Sequence, residues 1–125
     1  MDKSDCIFCN IVNGKTDTEF LFENENVAVF KDINPHAPVH ILIVPRRHIR
    51  SINDITDADG AIVFELIATG KAVAKQMGVN ESGYKLLFNV EKGGGQMIFH
   101  LHLHLLAGWK RTHQRVEDSL SIGDL

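Results

Sequence analysis

The chain has 125 residues, 44% of them hydrophobic, and a formal net charge of −3 at pH 7. This length suits a single domain over residues 1–125, and we expect a core at about 6–108 followed by a tail at 109–125. The acidic balance argues against nucleic-acid binding, and no apolar run approaches the length of a membrane span. The first five residues lack the apolar segment of a secretory signal, so we expect a cytoplasmic protein whose cysteines are thiols or metal ligands.

Two cysteines three positions apart open the recognisable part of the chain. The spacing of Cys6 and Cys9 lets one metal ion bind both sulfurs, whereas a thioredoxin-like redox pair would follow a strand. Apolar residues at 7, 8, 11 and 12 predict a short helix that Gly14 ends. The two β-prone runs 20–22 and 27–30 flank a polar turn and predict a hairpin.

A proline-bounded loop leads into the most apolar part of the chain. Pro35 and Pro38 restrict the loop at 32–38, and the β-branched run His40–Pro45 predicts a central strand. The basic segment after it, which ends at His48, is either a solvated turn or a support that holds this histidine for use.

The second half of the chain begins with a predicted helix. Thr56 is a good cap, and an apolar stripe over Asp57–Met77 predicts an amphipathic helix with Gly78 as its stop. A strand at Tyr84–Val90 should pair with the following histidine-rich strand. The glycines at 93–95 between them form either an ordinary turn or a phosphate cradle built from backbone N–H groups.

The run His100–Leu106 alternates three histidines with leucines. A period of two is that of a β-strand, so the imidazoles share one face and the leucines share the other. The leucine face can bury in a core. The histidine face then sets three groups that titrate near neutral pH side by side.

This histidine run resembles the signature of the histidine triad (HIT) superfamily. Residues 32–45 resemble the loop and strand of its Hint-like branch of purine nucleoside phosphoramidases, and residues 89–90 and 94–96 resemble the approach to the triad. The Cys6–Cys9 segment resembles the zinc-carrying bacterial-type members. The resemblance extends in the family's order from about Cys6 to Gly108.

The resemblance implies a fold and a reaction. The fold is α+β and HIT-like, with a five-stranded, mainly antiparallel sheet, one long helix and a short N-terminal helix, and it forms a homodimer with joined sheets. The reaction is hydrolysis of purine nucleoside 5′-phosphoramidates or adenylylated substrates such as AMP-NH2, AMP-lysine and aminoacyl adenylates. It passes through a covalent nucleotidyl-histidine and releases AMP.

The resemblance also assigns roles to individual residues. His102 is the nucleophile, because a neutral imidazole can attack phosphorus and split one hard step into two. His104 contacts the phosphate, while His100 and His40 support the catalytic site. Imidazole hydrogen bonds can stabilise the charge that develops on phosphoryl oxygens.

A second set of residues is assigned to nucleotide binding. Asp32 suits the two ribose hydroxyls, and Asn89 lies beside the phosphate and the leaving group. Gln96 and Met97 belong to the same set, but Met97 stands where relatives often carry a hydroxyl and can donate only its backbone N–H. The proposed base slot, for which an ordinary core role is equally open, consists of Ile7, Phe8, Ile11, Phe30 and Ile33.

By the same resemblance, Cys6, Cys9, His48 and His100 bind zinc. Two sulfurs and two imidazoles make a closed tetrahedral shell, which is the pattern of a structural site. No cofactor is then required for the chemistry itself. The alternative is a pair of reduced thiols packed near the core.

Other functions stay open. A dinucleoside polyphosphate hydrolase of the same superfamily would use the same triad. A nucleotide-binding regulatory protein with incidental turnover is a different class. The two classes are distinguished by whether turnover or only binding is lost when His102 is changed. In each case the partner is a small purine nucleotide. A zinc module for nucleic acid is disfavoured by the acidic charge.

Overall fold

The computed structural model describes residues 5–110 of the chain. The expected tail therefore lies outside the described residues from position 111 onward. No helix within the described range has the length and apolarity needed to cross a membrane.

Five strands form one antiparallel sheet. They are β1 (Phe22–Glu23), β2 (Val27–Lys31), β3 (Val39–Pro45), β4 (Tyr84–Leu87) and β5 (Leu103–Ala107), in the spatial order β1-β2-β3-β5-β4. All four pairings are antiparallel. The predicted hairpin and the predicted central strand are confirmed as β1–β2 and β3.

One long helix covers the leucine face of the sheet. Helix α2 (Gly60–Gln76) begins after a single 3-10 turn, Asp57–Asp59, in which Thr56 and Asp59 form a reciprocal capping box. The leucines at 101, 103 and 105 are buried in this layer. A Cβ on Gly70 would lie 3.1 Å from Leu86 Cδ2, so the helix approaches the sheet closely there.

A short helix covers part of the opposite face. Helix α1 (Ile7–Val12) packs with Ala28, Phe30, Leu42 and Val44 into a second buried cluster. Residue Leu42 of β3 is paired with His104 of β5, so the triad lies on this second face. Both faces of the sheet therefore carry packed side chains, and α1 covers the histidine face only in part.

Two strand boundaries differ from the prediction. Strand β5 begins at Leu103, so His100 and His102 precede the hydrogen-bonded ladder, and β4 ends at Leu87 instead of Val90. The chain between them forms a 3-10 turn at Lys92–Gly94. Alternation of side chains persists beyond the ladder because an extended backbone needs no partner strand to keep a period of two.

Candidate active site and adjoining metal cluster

A cavity of about 510 Å³ opens beside α1, β2 and the end of the histidine run. His102 and His104 lie in its wall, and Asp32 and Asn89 supply further polar groups. The residues predicted for a base slot all line it as well: Ile7, Phe8, Ile11, Phe30 and Ile33. The cavity thus combines an apolar part with a polar part, as a nucleotide requires.

The backbone fixes the proton position on His102. Its Nδ1 lies 2.7 Å from the carbonyl oxygen of His100. Because a carbonyl only accepts, Nδ1 carries the proton and Nε2 of the neutral ring keeps its lone pair. Phe8 packs edge-on against the ring at 5.0 Å between centroids. Burial lowers the pKa of His102 and favours the neutral form that can act as a nucleophile.

A second backbone contact sets the tautomers of two more rings. The N–H of His36 donates to His40 Nδ1 at 3.0 Å, so the proton of neutral His40 is on Nε2. That atom lies 2.9 Å from His104 Nδ1 and 3.4 Å from the Asp32 carboxylate. His104 accordingly keeps its own proton on Nε2, which lies 3.4 Å from Asn89 Nδ2; both nitrogens are donors, so neither satisfies the other. A donor is therefore available at the cavity wall.

These rings are neutral at pH 7. Burial, reinforced by the neighbouring His102 and His40, lowers the pKa of His104 to about 4. Burial also lowers the pKa of His40, although the Asp32 charge acts in the opposite direction. The polar part of the cavity thus offers hydrogen-bond donors and a lone pair instead of imidazolium charges.

Next to His102, at the start of the histidine run, the two cysteines lie beside two histidines. His100 Nδ1 lies 3.3 Å from Cys6 Sγ and 3.4 Å from Cys9 Sγ, and His48 Nδ1 lies 3.2 Å from Cys9 Sγ. His100 Nε2 donates to the Pro45 carbonyl at 2.8 Å, so its Nδ1 lone pair faces the sulfurs. Tetrahedral zinc holds such donors about 3.5 Å apart, so this donor set fits the metal.

Three of the residues predicted for catalysis or nucleotide binding do not line the cavity. His100 is fully buried in the cysteine cluster, and His40 lies behind His104. Gln96 is buried with its amide bonded to the backbone of Glu91, Arg50 and Ile98. The structure thus gives Gln96 a contact with the loop and not with the cavity.

Several residues that line the cavity were missed by sequence reasoning. They include Thr18, Lys31, Asn34, His36, Leu42 and Ile98. His36 could have been found, since it lies in the proline-bounded loop four positions before His40. Thr18 and Lys31 carry no sequence signal, because only the fold brings them to this side of the sheet.

Comparison with known proteins agrees with this geometry. A family profile described as "Scavenger mRNA decapping enzyme C-term binding" matches residues 5–115. The purine nucleoside phosphoramidase of Escherichia coli K12 is 35% identical over 102 residues, which cover 82% of this chain and 86% of that protein.

Solved structures show the same fold. The HIT family hydrolase of Legionella pneumophila Philadelphia 1 is 43% identical with a TM-score of 0.83, over 87% of this chain and 97% of that one. A Zn-bound histidine triad family protein of Mycobacterium smegmatis is 28% identical with a TM-score of 0.75, over 97% and 83%. From its triad, its fold and these relatives, the chain belongs to the histidine triad family of nucleotide hydrolases.

Proposed function

We propose that this protein hydrolyses purine nucleoside 5′-phosphoramidates and related adenylylated compounds, and that AMP is released from a covalent intermediate on His102. The observation that carries the proposal is the His102 Nε2 lone pair, held at the wall of the cavity by the His100 carbonyl. The similarity to a purine nucleoside phosphoramidase supports the choice of substrate class.

The reaction proceeds in two displacements at the α-phosphorus. In the first, His102 Nε2 forms a bond to phosphorus, the bond from phosphorus to the amine nitrogen breaks, and the departing amine takes a proton. In the second, water attacks phosphorus, gives up a proton, and the phosphorus–His102 bond breaks. The sum is phosphoramidate plus water giving AMP plus amine, with the imidazole restored.

The other residues bind and orient the nucleotide. The Asp32 carboxylate accepts hydrogen bonds from the ribose hydroxyls, and the apolar slot holds the purine. The Nε2–H of His104 and the amide of Asn89 lie together at the polar end, where they donate to the phosphoryl oxygens. His40 acts indirectly, through His104, since its Nε2–H fixes the tautomer of that ring.

The cluster of Cys6, Cys9, His48 and His100 binds a structural zinc ion in this proposal. All four donor atoms lie within 4.8 Å of one another, and both cysteines and His100 are buried. Zinc would fix α1 against the end of the histidine run, which is a structural contribution. The residues of the cavity need no metal for the displacement steps described above.

A homodimer with joined sheets completes the proposal. Strand β4 is at one edge of the sheet, and α2 beside it exposes 72% of Phe64 and 44% of Ile67. An edge strand next to exposed apolar side chains is a surface suited to pairing with a second copy.

The test is turnover of adenosine 5′-phosphoramidate by the parent and by His102→Ala. We expect AMP release by the parent, a mass increase of one adenylyl group on the protein during turnover, and a loss of at least about a thousandfold in kcat for the variant. His36→Gln is the matched control, because it removes an imidazole from the same cavity and keeps the backbone N–H that His40 requires.

Two results would contradict the proposal. Unchanged turnover in His102→Ala would exclude His102 as the nucleophile. A parent that binds AMP without releasing it from the phosphoramidate would favour a dinucleoside polyphosphate substrate or a nucleotide-binding regulatory protein, and diadenosine polyphosphates assayed in parallel separate those two.

A further inference from the structure

The backbone of Glu91 adopts a conformation that ordinarily only glycine adopts. Its φ is 63° and its ψ is 174°, and it is the one non-glycine residue with a positive φ among residues 5–110. A side chain in this region strains the backbone, so the surrounding contacts must hold it there. Such outliers concentrate at functional sites, which makes the contacts of this residue informative.

Three donors converge on the Glu91 carboxylate. Arg50 forms an ion pair with it, Ser51 Oγ donates at 2.8 Å, and Asn53 Nδ2 lies 3.4 Å away. The Arg50 guanidinium also lies 4.6 Å from the centroid of the Phe99 ring, which holds its orientation. The hydrogen bond from Arg50 lowers the pKa of Glu91, so the carboxylate is charged at neutral pH.

The main chain of Glu91 closes the loop on itself. Its N–H donates to the Gln96 side-chain oxygen at 2.9 Å, and its carbonyl accepts from the N–H groups of Gly94 and Gln96 at 3.1 and 3.0 Å. The buried Gln96 amide then donates to the carbonyls of Arg50 and Ile98. Glu91 and Gln96, at the two ends of the glycine-rich segment, thus both contact Arg50.

This closed loop forms part of the cavity wall. Gly95 and Met97 line the cavity together with Asn89. A Cβ on Gly95 would lie 3.9 Å from Asn89 Cγ, an ordinary van der Waals distance, so the loop and this side chain are neighbours in the cavity wall. Asn89 in turn lies 3.4 Å from Nε2 of His104. The position of the loop therefore influences where the Asn89 and His104 donors lie at the polar end of the cavity.

We propose that Glu91, held by Arg50, is a positioning residue that keeps the glycine-rich loop in the conformation that binds the α-phosphate. The ligand it serves is a nucleoside monophosphate group, and in this respect the inference rests on the proposed function. In the proposed function the purine and ribose bind against α1 and β2, so we expect their binding to be independent of Glu91.

The test compares the binding of AMP and of adenosine by calorimetry in the parent, Glu91→Gly and Arg50→Gln. Each variant removes one partner of the ion pair, and Glu91→Gly also removes the backbone strain. We expect AMP affinity and kcat to fall about tenfold, with adenosine affinity within twofold of the parent. The double variant should bind AMP no more weakly than either single one, because both act through the same contact.

Two further variants complete the experiment. Glu65→Gln removes a carboxylate on α2, outside the glycine-rich loop and the cavity lining, and should bind AMP as the parent does. Glu91→Ala keeps the strained φ without the carboxylate, so it should have a lower Tm than Glu91→Gly and the weakest AMP binding.

Equal losses of AMP and adenosine affinity would overturn the inference, since they indicate a general structural defect. Unchanged AMP affinity in both Glu91→Gly and Arg50→Gln would also overturn it. Failure of the proposed function is distinguishable from failure of this inference. A parent that binds AMP but does not hydrolyse the phosphoramidate would contradict the proposed function, and the AMP and adenosine affinities of the variants could still be compared.

Discussion

Each histidine of the site is specialised by the ring nitrogen that the protein backbone binds. His100 donates from Nε2 to a carbonyl, so its Nδ1 is free for the cysteine cluster. His102 donates from Nδ1, so its Nε2 is free for the cavity. His40 accepts at Nδ1 from a backbone N–H and therefore donates from Nε2. In the proposed function, identical side chains thus become a metal ligand, a nucleophile and a donor because different main-chain atoms bind them.

Burial of His104 has a consequence for stability in acid. Its pKa is about 4 in the folded protein, against 6.5 as the ordinary value. Between these values the unfolded chain binds a proton that the folded chain does not, so stability is lost as the pH falls from 6.5 toward 4. By pH 5 this group alone accounts for roughly 2 kcal/mol of lost stability.

We therefore expect His104→Gln to be less sensitive to acid than the parent. Urea unfolding at pH 7.5 and pH 5 would measure the free energy of unfolding of both proteins. The loss between the two pH values should be smaller by roughly 2 kcal/mol in the variant. His36→Gln serves as the control, and parallel losses in parent and His104→Gln would show that this imidazole does not lower stability in acid.

At the scale of elements, α1 and the histidine run depend on one another. Cys6 caps the helix, since its sulfur accepts from the Cys9 N–H at 3.2 Å, and both sulfurs face His100. Helix α1 has only six residues, which is too short to be stable by itself. Its contacts with the sheet and the cysteine cluster must hold it in place beside the cavity.

Removal of the proposed zinc should therefore destabilise the protein. Cys9→Ser should reduce the zinc content from about one ion per chain to almost none and lower the Tm by roughly 10 °C. Elemental analysis and thermal unfolding measure the two effects. Chelated parent should recover its Tm when zinc is returned, whereas the variant should not. Parent protein that contains no zinc after purification without chelators would falsify the metal assignment.

The sequence predicted the helices and strands better than it predicted which of them pack against one another. Alternation in the histidine run identified the two faces, and Thr56 and Gly78 located the ends of the long helical segment. Alternation does not reveal what covers a face, so the position of α1 beside the histidine run followed only from the resemblance, which placed Cys6 and Cys9 with His100. The conformation of Glu91 could not be predicted either, because its φ contradicts the preference of its residue type and depends on contacts 40 positions away.

At the scale of the whole molecule, the proposed dimer depends on one apolar surface. Phe64→Glu places a charge on the exposed face of α2 beside β4, where a second copy would have to bury it. We expect sedimentation to show the parent at twice the chain mass and the variant at 14.0 kDa. Phe22→Glu makes the same change at the β1 edge and should remain dimeric. A parent that sediments as one chain would exclude the dimer.

The neutral state of the buried imidazoles also determines how the cavity responds to dissolved salt. Ions in solution screen attraction between charges, but they hardly affect hydrogen bonds made at contact. His104 and His40 present protons without positive charge, so no ion pair with them has to form when a nucleotide arrives or break when it leaves. We therefore expect the contribution of these two rings to nucleotide affinity to be the same in dilute buffer and at cellular ionic strength.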